Sequence, residues 1–379
     1  MSSPVMNQDM IQEVLSYIPP SKVGKFRLLN KECNKMECNK RSYESWFLNL
    51  NLRRTNCISG YFLQRYEEGY KTNFFHESSD LQNNGVSIDF LPHGKVKIEA
   101  CDASHGILLC VDNTGLIPEY IVCKPTTKQY QIIPNTKVGI WDVSFGLAVI
   151  GLNPFRYKIL RLSQSSRRMC MSRGVYYANH RTFTCEVFDS DSFTWKRLEN
   201  LRIPRTDGLI LSHPVQASGL FLHWRSRNNN VIRFCLKTET WSFFHTPNFG
   251  VFSGLVRYEG KLGAICQWTN KDQENVHGLW VLTSSFEKSW EKVKDIKSIG
   301  EDFITWTLGN DVVLFCNWDR FCLYNINTEK LKLVHTNKGF ASYVCFPFCS
   351  DYEKVDRDER RNGPTLLTKR KRNRSTNAN

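Results

Sequence analysis

No apolar run in this 379-residue chain reaches the roughly eighteen residues that cross a bilayer as a helix, so a helical membrane span is not expected. The N-terminus lacks the basic start and continuous apolar core of a secretory signal; its apolar residues are periodic instead. No C-x2-C pair occurs. The closest cysteine pairs, Cys33/Cys38, Cys316/Cys322 and Cys345/Cys349, have no histidine at the usual zinc spacing, which argues against a structural metal. Fourteen cysteines are scattered over the chain, several inside apolar runs (Cys110, Cys123, Cys235, Cys266, Cys316). They read as small hydrophobes in a reducing setting, cytoplasm or nucleus, rather than as a disulfide framework. G-x-S-x-G, G-x4-G-K-[ST] and G-x-G-x-x-G are all missing, and the nine histidines are dispersed, with no close Ser/His/Asp or Cys/His pairing. The expectation is a non-catalytic chain that needs no cofactor.

What is present is core material. Hydrophobic residues make up 41% and aromatic residues 13%, enough for a large domain beside a small module. From about Ser87 the chain becomes a series of short Val-, Ile-, Leu-, Phe- and Tyr-rich runs separated by turn clusters, and helical periods largely vanish. One pattern recurs: an apolar strand, a polar turn with Asp, Thr or Lys, then a strand carrying an aromatic. It occupies Tyr120–Pro134, Cys185–Leu198, Ile232–Pro247, Gly278–Val293 and Phe321–Val334. Trp195, Trp241, Trp290 and Leu331 follow one another at 46, 49 and 41 residues, the size of a four-stranded propeller blade. These tryptophans are expected in the blade core. Between the hairpins lie runs with glycine turns at Gly106, Gly146, Gly219, Gly260 and Gly309, expected to be further strands. Blades with two apolar faces bury them by stacking in a closed ring, so a β-propeller is favoured over a sandwich.

Ahead of this lies DMIQEVLSYIPPSKVGKFRLLNK. Met6, Met10, Ile11, Val14, Leu15 and Ile18 fall at helical spacing, with Asn7 at the N-cap position; Pro19-Pro20 stops the helix. Val23, Phe26, Arg27, Leu28 and Leu29 restart the period. So short a segment cannot bury its stripes against itself. Spacing alone leaves two readings open, a helical cap on the β domain or a docking element for another protein.

The module resembles the F-box, whose pattern runs roughly L-P-x-D-L-L-x-E-I-L-x-R-L-P, then K-S-L-x-R-F-R-C-V-S-K-x-W. Met6, Asp9, Met10-Ile11, Glu13-Val14-Leu15, Ile18-Pro19, Ser21-Lys22-Val23, Phe26-Arg27 and Lys31 keep that register. Asn7 stands in place of the proline, and Cys33-Asn34 stands where the tryptophan is usual. The rest of the chain is similar to the F-box-associated domain of plant F-box proteins. The resemblance is carried by Gly106-Ile107-Leu108-Leu109-Cys110, Pro125-Thr126-Thr127-Lys128-Gln129-Tyr130, Tyr157–Leu162, Val187–Trp195, Gly219–Trp224, Leu262–Trp280 and Tyr343–Pro347.

The resemblance implies a mainly β chain: a small all-α F-box at 1–45, a helical linker at 46–85, a kelch-like propeller at 86–350 and a disordered basic tail at 351–379. It also implies the role of substrate adaptor in a Skp-cullin-F-box ubiquitin ligase. Met6, Met10, Ile11, Val14, Leu15, Ile18, Pro19, Val23, Phe26 and Leu29 would contact the Skp-type adaptor, and through it a cullin. The propeller would hold a protein target, with the polar loops Arg225–Asn230 and Thr269–Asn275 as candidates.

The formal net charge is +14, of which Lys369, Arg370, Lys371, Arg372 and Arg374 supply five. Lys369-Arg370-Lys371-Arg372 is a nuclear-localisation candidate. The remaining excess shows no dense basic-aromatic motif, so nucleic acid is the less favoured partner; an acidic protein target fits as well. A chromatin- or nucleic-acid-binding propeller acting without a ligase is the alternative, and a propeller enzyme or sugar-binding module ranks behind it.

Overall fold

The computed structural model describes residues 57–355 apart from 77–85, 93–95, 116, 137–140, 153, 165–179, 205–206, 208–212, 218, 248–250, 270–274, 284–288, 298–304, 310–311, 317–319, 326 and 337–342. The F-box segment and the tail beyond 355 lie outside the described residues. Among the described residues every regular element is a strand, save a 3-10 turn at Pro125–Thr127.

The chain opens with β1 (Ile58–Tyr66) and β2 (Tyr70–His76), joined by a tight turn. Four antiparallel strands then make the first complete blade: β3 (Lys97–Asp102), β4 (Ile107–Asp112), β5 (Glu119–Lys124) and β6 (Gln129–Ile133). Blade two has β7 (Trp141–Leu152), β8 (Phe155–Gln164) and β9 (His180–Asp189). Its outer strand comes in two pieces on β9, β10 (Thr194–Arg197) and β11 (Leu201–Pro204). Blade three holds β12 (Val215–Ala217), β13 (Phe221–Arg225), β14 (Asn230–Cys235) and β15 (Thr240–His245). Blade four holds β16 (Val251–Tyr258), β17 (Lys261–Thr269), β18 (Asn275–Leu282) and β19 (Trp290–Lys297). Blade five holds β20 (Thr305–Gly309), β21 (Val312–Cys316), β22 (Arg320–Asn325) and β23 (Leu331–Thr336). The last strand, β24 (Tyr343–Ser350), pairs along its whole length with β1, from Ile58 opposite Ser350 to Arg65 opposite Tyr343.

Blade six is therefore shared between the two ends of the chain, with order β2-β1-β24. The inner strands β3, β7, β12, β16, β20 and β24 each touch the next, and β24 returns to β3, so the ring is closed at six blades. This corrects two boundaries expected from the sequence. The stretch 46–85 is not a helical linker where it is described: Ile58–Tyr66 and Tyr70–His76 are strands, and the propeller begins before 86. The physical reason is closure, because β24 needs a partner that only the N-terminal strands supply.

The core sits between blades, not within them. Six apolar clusters fill the six interfaces, one per neighbouring pair. The run Ile107-Leu108-Leu109-Cys110-Val111 shows how one strand serves two of them. Leu108 and Cys110 pack toward Phe62, Phe346 and Phe348 of blade six; Ile107, Leu109 and Val111 pack toward Phe145, Leu147 and Ile159 of blade two. A continuous apolar run is what a strand buried on both faces needs. Each fully buried large side chain contributes on the order of 1.5–3 kcal/mol.

The repeating hairpin has a common turn. Lys128, Phe193, Glu239 and Glu329 occupy the same place in blades one, two, three and five, all in the left-handed region with φ of 53°, 54°, 55° and 56°. A polar turn ending in one such residue lets the third and outer strands pair without glycine. Of the glycine positions singled out by the sequence, Gly146 is misplaced: it lies inside the inner strand β7, not at a turn. A Cβ there would come within 2.4 Å of Leu222 Cδ1, so its role is to let blades two and three approach. The tryptophans of the outer strands are half-buried clasps between blades. Trp195 Nε1 donates to Pro134 O of the preceding blade at 2.6 Å, and Trp290 Nε1 donates to His245 O at 3.0 Å.

A second latch closes the ring beyond β24, where the sequence suggested disorder. Lys124, only 5% exposed, donates from Nζ to the Asp351 carboxylate and to Glu353 O (2.7 Å). Gln129 Nε2 donates to Val355 O at 3.3 Å, and Val355 N–H donates to Gln129 Oε1 at 3.0 Å. A buried ammonium needs these acceptors, which is why residues 351–355 lie ordered on blade one. Lys124→Met should loosen this strap. Hydrogen exchange at Val355 should accelerate and global stability fall by about 2 kcal/mol; unchanged exchange there would show that the latch contributes nothing.

Candidate functional site

The residues expected to contact an adaptor (Met6, Met10, Ile11, Val14, Leu15, Ile18, Pro19, Val23, Phe26, Leu29) and the basic cluster Lys369–Arg372 lie outside the described residues. What the fold places is the frame around them. Ile58 pairs with Ser350, so the segments before β1 and after β24 leave from the same end of the propeller, where the inner strands finish. The opposite end carries the turns between second and third strands and the connections between blades.

Several polar contacts join inner strands of different blades. Asp102, at the end of β3 and fully buried, accepts from Ser104 N–H (3.1 Å), His105 N–H (3.3 Å) and Val149 N–H (2.7 Å), and its Oδ1 lies 2.9 Å from His105 Nδ1. Burial alone would push its carboxyl up, but His105 and the Val149 amide hold it down at about 2. Arg257, reaching from β16 of blade four, donates to Ser104 Oγ of blade one across the axis. Nearer the other end, His213 Nδ1 meets Glu99 O at 2.8 Å, and its ring packs on Phe346 at 4.5 Å.

This Asp-His-Ser grouping was not anticipated from the sequence, although Asp102-x-Ser104-His105 is plainly written in it. Its geometry is that of a turn staple. The carboxylate caps the amides of its own turn and ties blade one to blade two, while the serine oxygen faces Arg257. Among the described residues, no group of three or more His, Cys, Asp and Glu could hold a metal ion.

Two buried histidines, His223 and His277, and the half-buried His213 fix the protonation state of the frame. Burial lowers His213 and His277 to about 4 and His223 to about 3, with Arg233 adding repulsion at His223. The unfolded chain takes up these protons near pH 6.5, whereas the folded chain does not until pH 4 or 3. Stability must therefore fall as pH drops below about 6.5. For His223 alone the loss at pH 5 is about 2 kcal/mol. Denaturant titrations at pH 7 and 5 should show this, and His223→Asn should flatten the slope; an identical slope in the variant would remove His223 as its source.

One surface feature stands out on the outer rim of the ring, at blade three. An open groove of about 900 Å³ runs from β11 of blade two past blade three to the start of β19. Its apolar walls are Ile203, Pro204, Phe244, Trp290 and Phe243, the last 46% exposed. Its polar floor is built from Asp207, Asn230 and Thr246. The Asp207 carboxylate accepts from Asn228 N–H at 3.0 Å and from Asn230 Nδ2 at 3.1 Å, and Thr246 Oγ1 donates to Asn229 O at 2.9 Å. Arg202 and His245 stand exposed on the rim. Of the two loops singled out by the sequence, Arg225–Asn230 borders this groove through Asn230. In Thr269–Asn275, residues 270–274 lie outside the described residues. The groove itself had no sequence signal, since it joins three blades.

Comparison with known proteins gives a consistent picture. The profile of the family described as "F-box associated beta propeller domain" matches residues 61–344. The Arabidopsis thaliana F-box protein At5g41720 is 45% identical over 191 residues, 48% of this chain and 98% of that relative. A second Arabidopsis thaliana protein, F-box protein At3g49450, is 25% identical over 283 residues, 70% of this chain and 65% of its own length. Among solved structures, TolB from Acinetobacter baumannii superposes with a TM-score of 0.43 at 10% identity, over 78% of this chain and 66% of its own.

Proposed function

Since the chain belongs to the plant F-box proteins that carry an F-box-associated β-propeller, we propose that it is the substrate-recognition subunit of a Skp-cullin-F-box ubiquitin ligase. Its N-terminal module binds the Skp-type adaptor and its propeller binds a protein target. The observation that carries this reading is the order of parts. An apolar register of F-box type at residues 6–30 stands before a propeller of the F-box-associated family spanning 61–344.

The chemistry of ubiquitin transfer belongs to other subunits. This chain contributes proximity: it raises the effective concentration of target lysines near the charged enzyme at the far end of the cullin. A closed ring suits that task, because a rigid holder keeps the distance between adaptor and target fixed. In this reading the Lys369–Arg372 cluster is a nuclear-localisation candidate, and the protein works in the nucleus, the cytoplasm or both.

Co-purification of the full-length chain with a Skp-type adaptor tests the reading. Leu15→Asp or Phe26→Asp should abolish the complex, because an unpaired charge in an apolar contact costs several kcal/mol, about 3 or more. Retention of the adaptor by both variants would refute the assignment of this face, and absence of binding by the well-folded native chain would refute the ligase role.

A further inference from the structure

We propose that the groove between β11, β15 and Trp290 is the target site and that it takes an extended acidic segment of a protein anchored by one large apolar side chain. This deepens the adaptor reading and rests on it for the word target; the binding chemistry itself rests on the groove.

Three observations select this occupant. The first is location. Asn230 opens β14, Thr246 follows β15 and Trp290 opens β19, so the groove lies on the outer rim at blade three, across the ring from the β1–β24 seam where Ile58 pairs with Ser350.

The second is the apolar content. Phe243 is left 46% exposed beside Phe244, Pro204 and Trp290, and the indole N–H of Trp290 is already given to His245 O. Phe244 is 6% exposed with the Arg233 guanidinium over its ring, so what the walls offer a ligand is the Phe243 ring, the half-buried Trp290 and a proline edge. A volume of about 900 Å³ is open, sized for a few side chains of a strand rather than for a globular surface.

The third is charge. Asp207, the acid in the groove, is 6% exposed and engaged on both oxygens by Asn228 and Asn230. The rim presents the exposed Arg202, and the adjoining turn presents the exposed Arg227. The chain as a whole carries 51 basic against 37 acidic residues. Carboxylates on the incoming segment meet arginine forks at the rim, while its anchor loses water against the aromatic walls.

The test is a selection from a displayed library of random peptides of about twelve residues on immobilised full-length protein, with counter-selection on the Arg202→Glu, Phe243→Ser double variant. Both substituted side chains are exposed, so the variant is expected to fold, and a thermal melt matching that of the native chain monitors this independently. Enriched peptides should carry Asp or Glu around a Leu, Phe or Trp. Their affinity should drop at least about tenfold in either single variant and weaken with added salt. Failure to enrich any peptide, a basic consensus, or equal binding to the double variant would overturn the proposal. If the native chain fails to bind the adaptor but acidic peptides still require Arg202 and Phe243, the ligase reading falls while the groove stands. If adaptor binding holds and the selection fails, only the groove falls.

Discussion

Closure of the ring governs everything else in this molecule. Each blade is apolar on both faces, and no blade has a layer of helices to cover it among the described residues. The only cover is the next blade, and the last blade must be covered by the first. Pairing of β24 with β1 meets that demand by making the final blade from both ends of the chain. Breaking it would expose two of the six interblade clusters at once, those holding Phe62, Phe346 and Phe348 on one side and Tyr61 and Leu63 on the other. The strap held by Lys124 reinforces the same seam from outside. Three-way aromatic contact of Phe62, Phe74 and Phe348, with ring centroids 5.0–5.7 Å apart, fills it from within.

From closure follows the geometry that a target-presenting subunit can use. The start of β1 and the end of β24 lie at one end of the ring because the two strands are antiparallel neighbours. Arg257 of blade four meets Ser104 of blade one, and His213 packs on Phe346 of blade six. Loops on a rigid frame are where binding residues are usually found. The buried neutral histidines and the low-pKa Asp102 belong to the frame, and they set the pH range in which it is firm.

How much of this could be read from the amino acids depends on the range of the interaction. The outer hairpins were legible at Tyr120–Pro134 and its four later copies because turn and strands are contiguous and repeat at one spacing. The propeller and its family were legible for the same reason. The helical reading of 46–85 failed because Phe62 and Leu63 show what a strand buried on both faces shows, a continuous apolar run without period. Only Phe346 and Phe348, almost 300 residues away, reveal what β1 is for. Gly146 was misread as a turn because glycine marks turns locally, whereas its demand comes from Leu222 of the next blade. The strap likewise has no local signature: Asp351 and Glu353 look like the start of a polar tail until Lys124 is seen to need them. Asp102-x-Ser104-His105 was visible but carried no meaning until Val149 and Arg257 gave it partners.

The groove illustrates where function enters a repeat. Trp195 clasps blade two to blade one, and Trp290 clasps blade four to blade three. Blade two departs from the four-stranded pattern: its outer strand is split, and after β10 the chain shifts to pair β11 with the beginning of β9. Pro204 ends that second piece, and a proline has no amide hydrogen to continue the ladder. The split shifts the register on β9 by one residue, from Thr194 opposite Asp189 to Leu201 opposite Phe183, so Arg202, Ile203 and Pro204 stay paired along β9 and line the groove beside Phe243 and Phe244 of blade three. Asp207 then secures the following connection to the Asn228–Asn230 turn, so the opening has a fixed floor. An irregularity tolerated by the ring, because closure is secured elsewhere, thus becomes the part of the surface with a shape of its own.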